Sequence, residues 1–168
     1  QSLEKLSAQA ADVFTTVSEI TSKECKQFLG KPVDIVTPNG FEDTIVPLGS
    51  DYEAKRKTAR EKLLIVASCL LDETLPPDTY IVATSGRYEF KNKGIDLFIT
   101  ALHKLQESKK LDRTILAYFL VPAHHYGPRK ELQAALSQNK ACDCGLRYIT
   151  HYLHDPDWDP ILKSLKNY

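Results

Sequence analysis

Two short apolar segments, 79–85 and 114–121, do most to constrain how this 168-residue chain can fold. Both are rich in β-branched and aromatic residues, a composition typical of strands buried on both faces of a parallel sheet. Between them lies an amphipathic helix that begins near Ile95, with Phe98, Leu102 and Leu105 at helical spacing. A strand–helix–strand order predicts parallel strands joined by a right-handed crossover. We therefore expect an α/β protein.

Weaker patterns predict further elements around this unit. Thr21 and Glu24 have the spacing of a capping box at the start of another helix. The inner face of that helix is expected to carry Ile20, Cys25 and Phe28. The other predictions are helices at 1–11, 51–71, 128–136 and 159–165, strands at 12–18 and 33–37, and a helix end at Gly30.

Composition excludes several classes of function. Lys and Arg together number 22, as do Asp and Glu, so the formal net charge is zero and a generic nucleic-acid binder is not expected. No apolar run is long enough to cross a bilayer, and no secretory signal is recognisable at the N-terminus. The expectation is a cytoplasmic protein with no nucleic-acid or membrane partner.

The four cysteines do not have the pattern of a disulfide framework or a zinc site. Cys25 and Cys69 are isolated, and Cys142 and Cys144 form a single close pair with no second pair to complete a metal site. We expect reduced cysteines and no bound metal.

The segment from Gly86 to Gly94 is the best candidate for a functional site. It lies after a predicted strand, where parallel sheets bind ligands, and Gly86 permits a sharp turn or a close approach. Arg87 and Lys93 can bind phosphate oxygens, and a following helix N-terminus would add free N–H groups. The alternative is that both cations are merely solvated, and the residues by themselves leave the two readings open.

Two other strand ends carry polar residues. Asn39 and Gly40 follow a predicted strand and could line the same cleft, although a plain turn is favoured by their spacing. His124 and His125 follow segment 114–121 and could act as acids, bases or phosphate donors, with an exposed loop as the favoured reading.

Three blocks of sequence resemble the eukaryotic-type glycogen synthases, in the same order and at compatible spacing. They read DVFTTVSEIT, VDIVTPNG and GRYEFKNKGIDLF. TILAYFLVPA also resembles the strand that follows in that family, with His124 in place of an arginine, and DPIL at 159–162 resembles a later stretch. The resemblance extends from Asp12 to Leu162, and its most specific part is the junction block.

The resemblance implies a retaining glycosyltransferase with two Rossmann-like domains, each a three-layer arrangement of a parallel sheet between helices. Such an enzyme transfers glucose from UDP-glucose, or ADP-glucose, to the 4-hydroxyl of an α-1,4-glucan without a metal or other cofactor. In the family the arginine and lysine of this junction, here Arg87 and Lys93, hold the donor diphosphate and are assigned as catalytic. With Gly86, Asn39 and Gly40 they form the expected substrate-binding set.

Several features of the family have no counterpart here, among them its paired glutamates and its glycine-rich N-terminal loop. The chain also lacks methionine and begins at Gln1 within a predicted helix. We therefore interpret it as a middle slice of a longer or processed protein, inactive by itself. Residues 1–50 would end the N-terminal domain, 51–78 would be a connecting helix and linker, and 79–168 would begin the C-terminal nucleotide-sugar-binding domain.

Two other functions stay open at this point. One is a non-catalytic nucleotide-sugar-binding or interaction module, and the other is a related glycosyltransferase with another glycan acceptor. For the enzyme, the expected partners are a nucleotide sugar and glycogen or another α-glucan, and the longer protein could assemble as a homo-oligomer.

Overall fold

The computed structural model describes residues 2–167, which form two compact units, one ending at Leu48 and one beginning at Gly49. Both units combine helices with short strands, so the predicted α/β class is confirmed at this level. The three-layer Rossmann-like arrangement and the assignment of residues 51–78 to a linker stay predictions. Among the described helices, none combines the length and apolar character needed to span a bilayer.

The first unit contains two helices and a minimal parallel sheet. Its strands are confirmed in position but are only two residues long, with Thr15 opposite Ile35 and Thr16 opposite Val36. A short 3-10 turn follows β2. In chain order the elements are α1 (Leu3–Ala10), β1 (Thr15–Thr16), α2 (Glu19–Leu29), β2 (Ile35–Val36) and the turn Asp43–Ile45.

The start of α2 differs from the prediction. Its N-cap is Ser18, whose hydroxyl accepts a hydrogen bond from the Thr21 N–H at 3.1 Å. The predicted capping box between Thr21 and Glu24 is wrong, because Ser18 starts the helix three residues earlier and leaves Glu24 beyond the first turn.

The predicted inner face of α2 is wrong for two of its three residues. Ile20 and Phe28 expose 72% and 68% of their surface, whereas Cys25 is half-buried. Gly30 ends the helix in the left-handed conformation with φ of 71°, as predicted. The half-buried face of α2 lies opposite Ile20 and consists of Thr21, Ser22, Cys25 and Leu29.

The second unit contains the strand–helix–strand motif and an additional antiparallel pair. β3 and β4 pair in parallel from Tyr80 opposite Ile115 to Ser85 opposite Leu120, which confirms the predicted pairing. The β5 and β6 strands pair antiparallel. The elements are α3 (Gly49–Leu71), β3 (Tyr80–Ser85), α4 (Ile95–Glu107), β4 (Ile115–Leu120), β5 (His125–Pro128), α5 (Lys130–Ser137), β6 (His151–Leu153) and α6 (Pro160–Leu165).

The β3–β4 sheet is not buried on both faces, contrary to the prediction. Tyr80 is 48% exposed and Leu120 is 55% exposed, because in the described part of the chain this sheet has only two strands. The predicted inner face of α4 is confirmed for Ile95, which is buried, and for Phe98, which meets Phe119 of β4 edge to face at 5.4 Å between ring centroids. Leu102 is half-buried, whereas Leu105 is 39% exposed, so the prediction is wrong at that position.

The cysteines differ from the expectation of reduced thiols. Cys142 and Cys144 are joined by a disulfide, whereas Cys25 and Cys69 are free. Because only one residue separates the bonded pair, the bond closes a very short loop and constrains little of the unfolded chain. The pair belongs to a small buried cluster of Cys69, Leu70, Leu132, Ala135, Cys142 and Cys144.

Candidate functional site

The loop at 86–94 joins β3 to α4, so the predicted strand–loop–helix junction is confirmed. The Gly86 N–H donates to the Leu120 carbonyl at 3.4 Å, which continues the β3–β4 ladder by one bond. Gly86 has φ of 143° and Gly94 has φ of 65°, conformations that favour glycine. The two glycines therefore let the backbone leave the strand and enter the helix.

Backbone hydrogen bonds hold the loop internally. The Glu89 N–H donates to the Arg87 carbonyl at 2.8 Å, and the Lys93 N–H donates to the Glu89 carbonyl at 2.9 Å. The Gly94 N–H donates to the Lys91 carbonyl at 3.0 Å. Both candidate phosphate ligands, Arg87 and Lys93, are thus attached to a folded turn, and Glu89 links them through the main chain.

The side chains of the two candidate cations face solvent. Arg87 is 76% exposed, and its Nε lies 3.0 Å from the Glu89 carboxylate. The terminal nitrogens of Arg87 make no hydrogen bond to the described residues. Lys93 is exposed and has no ion-pair partner within residues 2–167. Because the Glu89 contact uses the Nε edge, the outer edge of the guanidinium is left for a second anion.

A third cation of the loop is neutralised locally. The Lys91 Nζ lies 2.8 Å from Asp96 Oδ2, in the first turn of α4. This hydrogen bond with Lys91 holds the pKa of the Asp96 carboxyl below its ordinary value, and backbone N–H groups of α4 act in the same direction. Lys91 is therefore a weaker candidate phosphate ligand than Lys93.

The N-terminus of α4 does not offer the free N–H groups that the sequence predicted. The Ile95 and Asp96 N–H groups both donate to the Phe90 carbonyl, at 3.1 and 3.4 Å. The Asp96 carboxylate also places a negative charge in the first turn. The prediction is wrong in this respect, because the loop folds back to cap the helix, and an anion here would depend on the side chains of Arg87 and Lys93.

The sequence did not identify two residues that support the loop. Glu89 pairs with Arg87, and Asp159 accepts a hydrogen bond from the Tyr88 hydroxyl at 2.6 Å. Tyr88 is half-buried. The only signal for Asp159 was its place at the start of the DPIL block, which by itself indicates no contact with Tyr88.

Asn39 and Gly40 lie in the first unit, in an exposed segment without regular structure after β2. The strong turn signal at this position does not produce a hydrogen-bonded turn. A Cβ atom placed on Gly40 would meet nothing within 4 Å. The role of Asn39 and Gly40 in substrate binding stays a prediction.

The histidines after β4 pack against the β6 region. The His124 ring stacks on His154 with centroids 4.1 Å apart, and His125 lies 4.6 Å from His151. The pKa of His151 is lowered mainly by burial and, to a smaller extent, by the neighbouring His125. Within residues 2–167, no group of three or more His, Cys, Asp or Glu side chains is arranged to hold a metal ion.

Most of the chain matches a known protein family. The family model for glycogen synthase matches residues 1–138. The chain belongs to the glycogen synthase family. The match includes the whole junction at 86–94, together with Asn39 and Gly40, whereas the DPIL stretch at 159–162 lies beyond it and its resemblance stays a prediction.

Individual members of the glycogen synthase family agree with this assignment. Glycogen (starch) synthase of Neurospora crassa is 34% identical over 127 residues, and the liver glycogen (starch) synthase of Homo sapiens is 35% identical over 130 residues. Isoform 2 of Saccharomyces cerevisiae is 34% identical over 132 residues. Each alignment covers 72% of this chain, which spans only 18% of the length of these relatives.

Proposed function

We propose that this chain is the donor-binding segment of a glycosyltransferase that transfers glucose from UDP-glucose, or ADP-glucose, to the 4-hydroxyl of an α-1,4-glucan with retention. The chain would then form part of a cytoplasmic enzyme with two Rossmann-like domains. The observation that carries the proposal is the position of Arg87 and Lys93 on one ordered strand–loop–helix junction inside the family match.

The charges of the junction favour a diphosphate over a smaller anion. Arg87 and Lys93 are exposed cations separated by one folded turn, and their backbones are linked through Glu89. A guanidinium binds phosphate oxygens through paired hydrogen bonds, whereas an ammonium acts as a compact point charge. Two such groups on one loop suit the two phosphates of a nucleotide sugar.

The same two groups would act in the reaction as electrostatic stabilisers. When the bond between glucose and diphosphate breaks, negative charge grows on the departing UDP oxygen. Cations already in place at that oxygen stabilise the transition state without reorganisation. Arg87 and Lys93 therefore assist departure of the leaving group, and no proton transfer is assigned to either of them.

Calorimetric titration of the chain with UDP and with uridine tests the proposal. We expect UDP to bind more tightly than uridine, because the phosphates supply the contacts. Arg87→Ala and Lys93→Ala should each weaken UDP binding by roughly 10- to 100-fold, the value of one charge-assisted hydrogen bond.

Lys91→Ala is the matched control, because Lys91 lies in the same loop but is paired with Asp96. It should change UDP affinity by less than about threefold, as expected for a solvent-exposed charge. Equal binding of UDP and uridine, or wild-type affinity in both the Arg87 and Lys93 variants, would overturn the proposal.

A further inference from the structure

Tyr88 connects the junction to a part of the second unit 71 residues away in sequence. Its hydroxyl donates to Asp159 Oδ2 at 2.6 Å and accepts from the Ile161 N–H at 3.3 Å. Both partners lie at the start of α6. The middle of the loop at 86–94 is therefore attached to a helix that is distant in sequence.

Asp159 serves the loop and the helix at the same time. While Oδ2 accepts from Tyr88, its Oδ1 accepts from the Leu162 N–H at 2.9 Å and caps α6. The α6 helix also contacts α4, the helix into which the loop continues. The loop is thus held in its middle by α6 and at its end by α4, and these two helices contact each other.

The direction of Arg87 depends on this attachment. Arg87 and Glu89, on either side of Tyr88, pair with each other, whereas Tyr88 reaches Asp159. The Glu89 N–H also donates to the Arg87 carbonyl at 2.8 Å, so the backbone turns tightly at Tyr88. Because Tyr88 is the central residue of this turn, a fixed Tyr88 side chain also fixes the direction in which Arg87 leaves the loop.

The chemistry of Tyr88 suits a permanent attachment. Burial, together with the hydrogen bond to Asp159, raises the pKa of Tyr88 far above its ordinary value. The phenol therefore stays protonated, and remains a donor to Asp159, throughout the neutral range of pH.

We propose that Tyr88 and Asp159 are positioning residues for the diphosphate: their hydrogen bond fixes the loop so that the Arg87 guanidinium is already oriented before the ligand arrives. This inference rests on the proposed function of the junction. A donor that is oriented in advance loses less conformational freedom on binding, so affinity rises without any new contact to the ligand.

Tyr88→Phe tests the inference because it removes only the hydroxyl. Two measurements are made on the 168-residue chain: ¹⁵N relaxation of the backbone amides at 86–92 without ligand, and calorimetric titration with UDP. We expect faster local motion of the loop and a UDP affinity about three- to tenfold weaker, the loss expected for one hydrogen bond.

Asp159→Asn is the second variant, in case the tyrosine substitution disturbs packing. The asparagine oxygen can still cap α6, whereas its NH₂ group cannot accept a hydrogen bond from the Tyr88 hydroxyl. We expect the same loosening of the loop and the same loss of affinity as in Tyr88→Phe, with α6 intact.

Tyr118→Phe is the matched control. Tyr118 is a second half-buried tyrosine, whose hydroxyl donates to the Leu63 carbonyl at 2.7 Å, and burial raises its pKa as well. Loss of the Tyr118 hydroxyl should lower thermal stability but leave the motion of the loop and the UDP affinity unchanged. Equal losses of affinity in Tyr118→Phe and Tyr88→Phe would indicate a purely structural effect and overturn the inference.

The two measurements separate this inference from the function on which it rests. Wild-type loop motion or wild-type UDP affinity in Tyr88→Phe would overturn the positioning role while leaving the diphosphate site intact. A wild-type chain that fails to bind UDP would overturn the proposed function and the positioning role with it. The relaxation data would then still report whether the Tyr88 hydrogen bond orders the loop.

Discussion

Between β1 and α2 the chain uses two residues, Val17 and Ser18, whereas between β3 and α4 it uses the nine residues 86–94. The short connection places a hydroxyl on the helix: Ser18 accepts from an N–H of the first turn. The long connection ends at Gly94, which has no side chain for capping, and the helix is capped instead by a backbone carbonyl of the loop.

The comparison shows that a binding loop requires more than the end of a strand and the start of a helix. A two-residue connection has no room for exposed cations, and its one polar side chain, Ser18, is already hydrogen-bonded to the first turn of the helix. A nine-residue connection can present Arg87 and Lys93 to solvent, but it needs its own internal hydrogen bonds and the bond from Tyr88 to Asp159. A loop that is long enough to bind an anion therefore depends on residues distant in sequence to hold its conformation.

The largest effect within this comparison is expected from Gly86→Ala. Gly86 has φ of 143°, so an alanine must adopt a strained backbone or shift the start of the loop. Strain of this kind costs about 1–3 kcal/mol. Hydrogen exchange at the amides of β3 and β4 measures the loss of stability in the second unit.

Gly145→Ala is the control for Gly86→Ala. Gly145 lies in the same unit, has open space where a Cβ would stand, and is not in the left-handed region. Its substitution should change stability by less than about 0.5 kcal/mol, as at most surface positions. Similar losses of stability in Gly86→Ala and Gly145→Ala would show that the backbone conformation at Gly86 does not require glycine.

A smaller effect is expected from Ser18→Ala at the short junction. Loss of the cap should cost about 0.5–2 kcal/mol in the first unit, because the Thr21 N–H loses its partner. Hydrogen exchange at the amides of α2 should become faster. Ser7→Ala, at an exposed position of α1, serves as control and should leave exchange in α2 unchanged.

The smallest effect concerns pH and the Lys91–Asp96 pair. The pKa of Asp96 is lower in the folded chain than in the unfolded chain, so the unfolded chain binds more protons in the acidic range. Stability from this group is therefore present at neutral pH and is lost as pH falls through the lowered pKa of Asp96. NMR titration of the Asp96 carboxyl should give a pKa below its ordinary value.

Lys91→Ala tests whether Lys91 is the cause of the lowered Asp96 pKa. Since Lys91 is the main group that lowers the pKa of Asp96, its removal should raise that pKa toward the ordinary value. Asp96→Asn should flatten the dependence of thermal stability on pH in the acidic range. An unchanged Asp96 pKa in the Lys91 variant would leave the N–H groups of α4 as the cause.

Much of the fold was predictable because it depends on local pattern. The β3–α4–β4 motif follows from apolar runs and helical periodicity, and Gly86 and Gly94 mark the ends of the loop. The predictions failed where competing local signals existed: Ser18 and Thr21 can both start a helix, and only the register of the folded chain selects Ser18. The exposure of Ile20 and Phe28 was missed for the same reason.

The candidate site was predictable only in part. Residue type and position point to Arg87 and Lys93, and the family resemblance gives them a role that awaits measurement. The occupation of the α4 N–H groups by the Phe90 carbonyl was not predictable, because it depends on how the loop turns back. No pattern in either segment links Tyr88 with Asp159.

The sequence by itself determined the helices and the parallel strands, the family of the chain and the cations of the junction, since these depend on residue types and short spacings. It did not predict the antiparallel strands β5 and β6. Only the tertiary structure decided which of those charges stay available. Lys91 is neutralised by Asp96, Arg87 keeps one edge of its guanidinium for Glu89, and Lys93 stays exposed. The physical reason is that an ion pair and a buried hydrogen bond depend on distances of about 3 Å, which only folding of the whole unit sets.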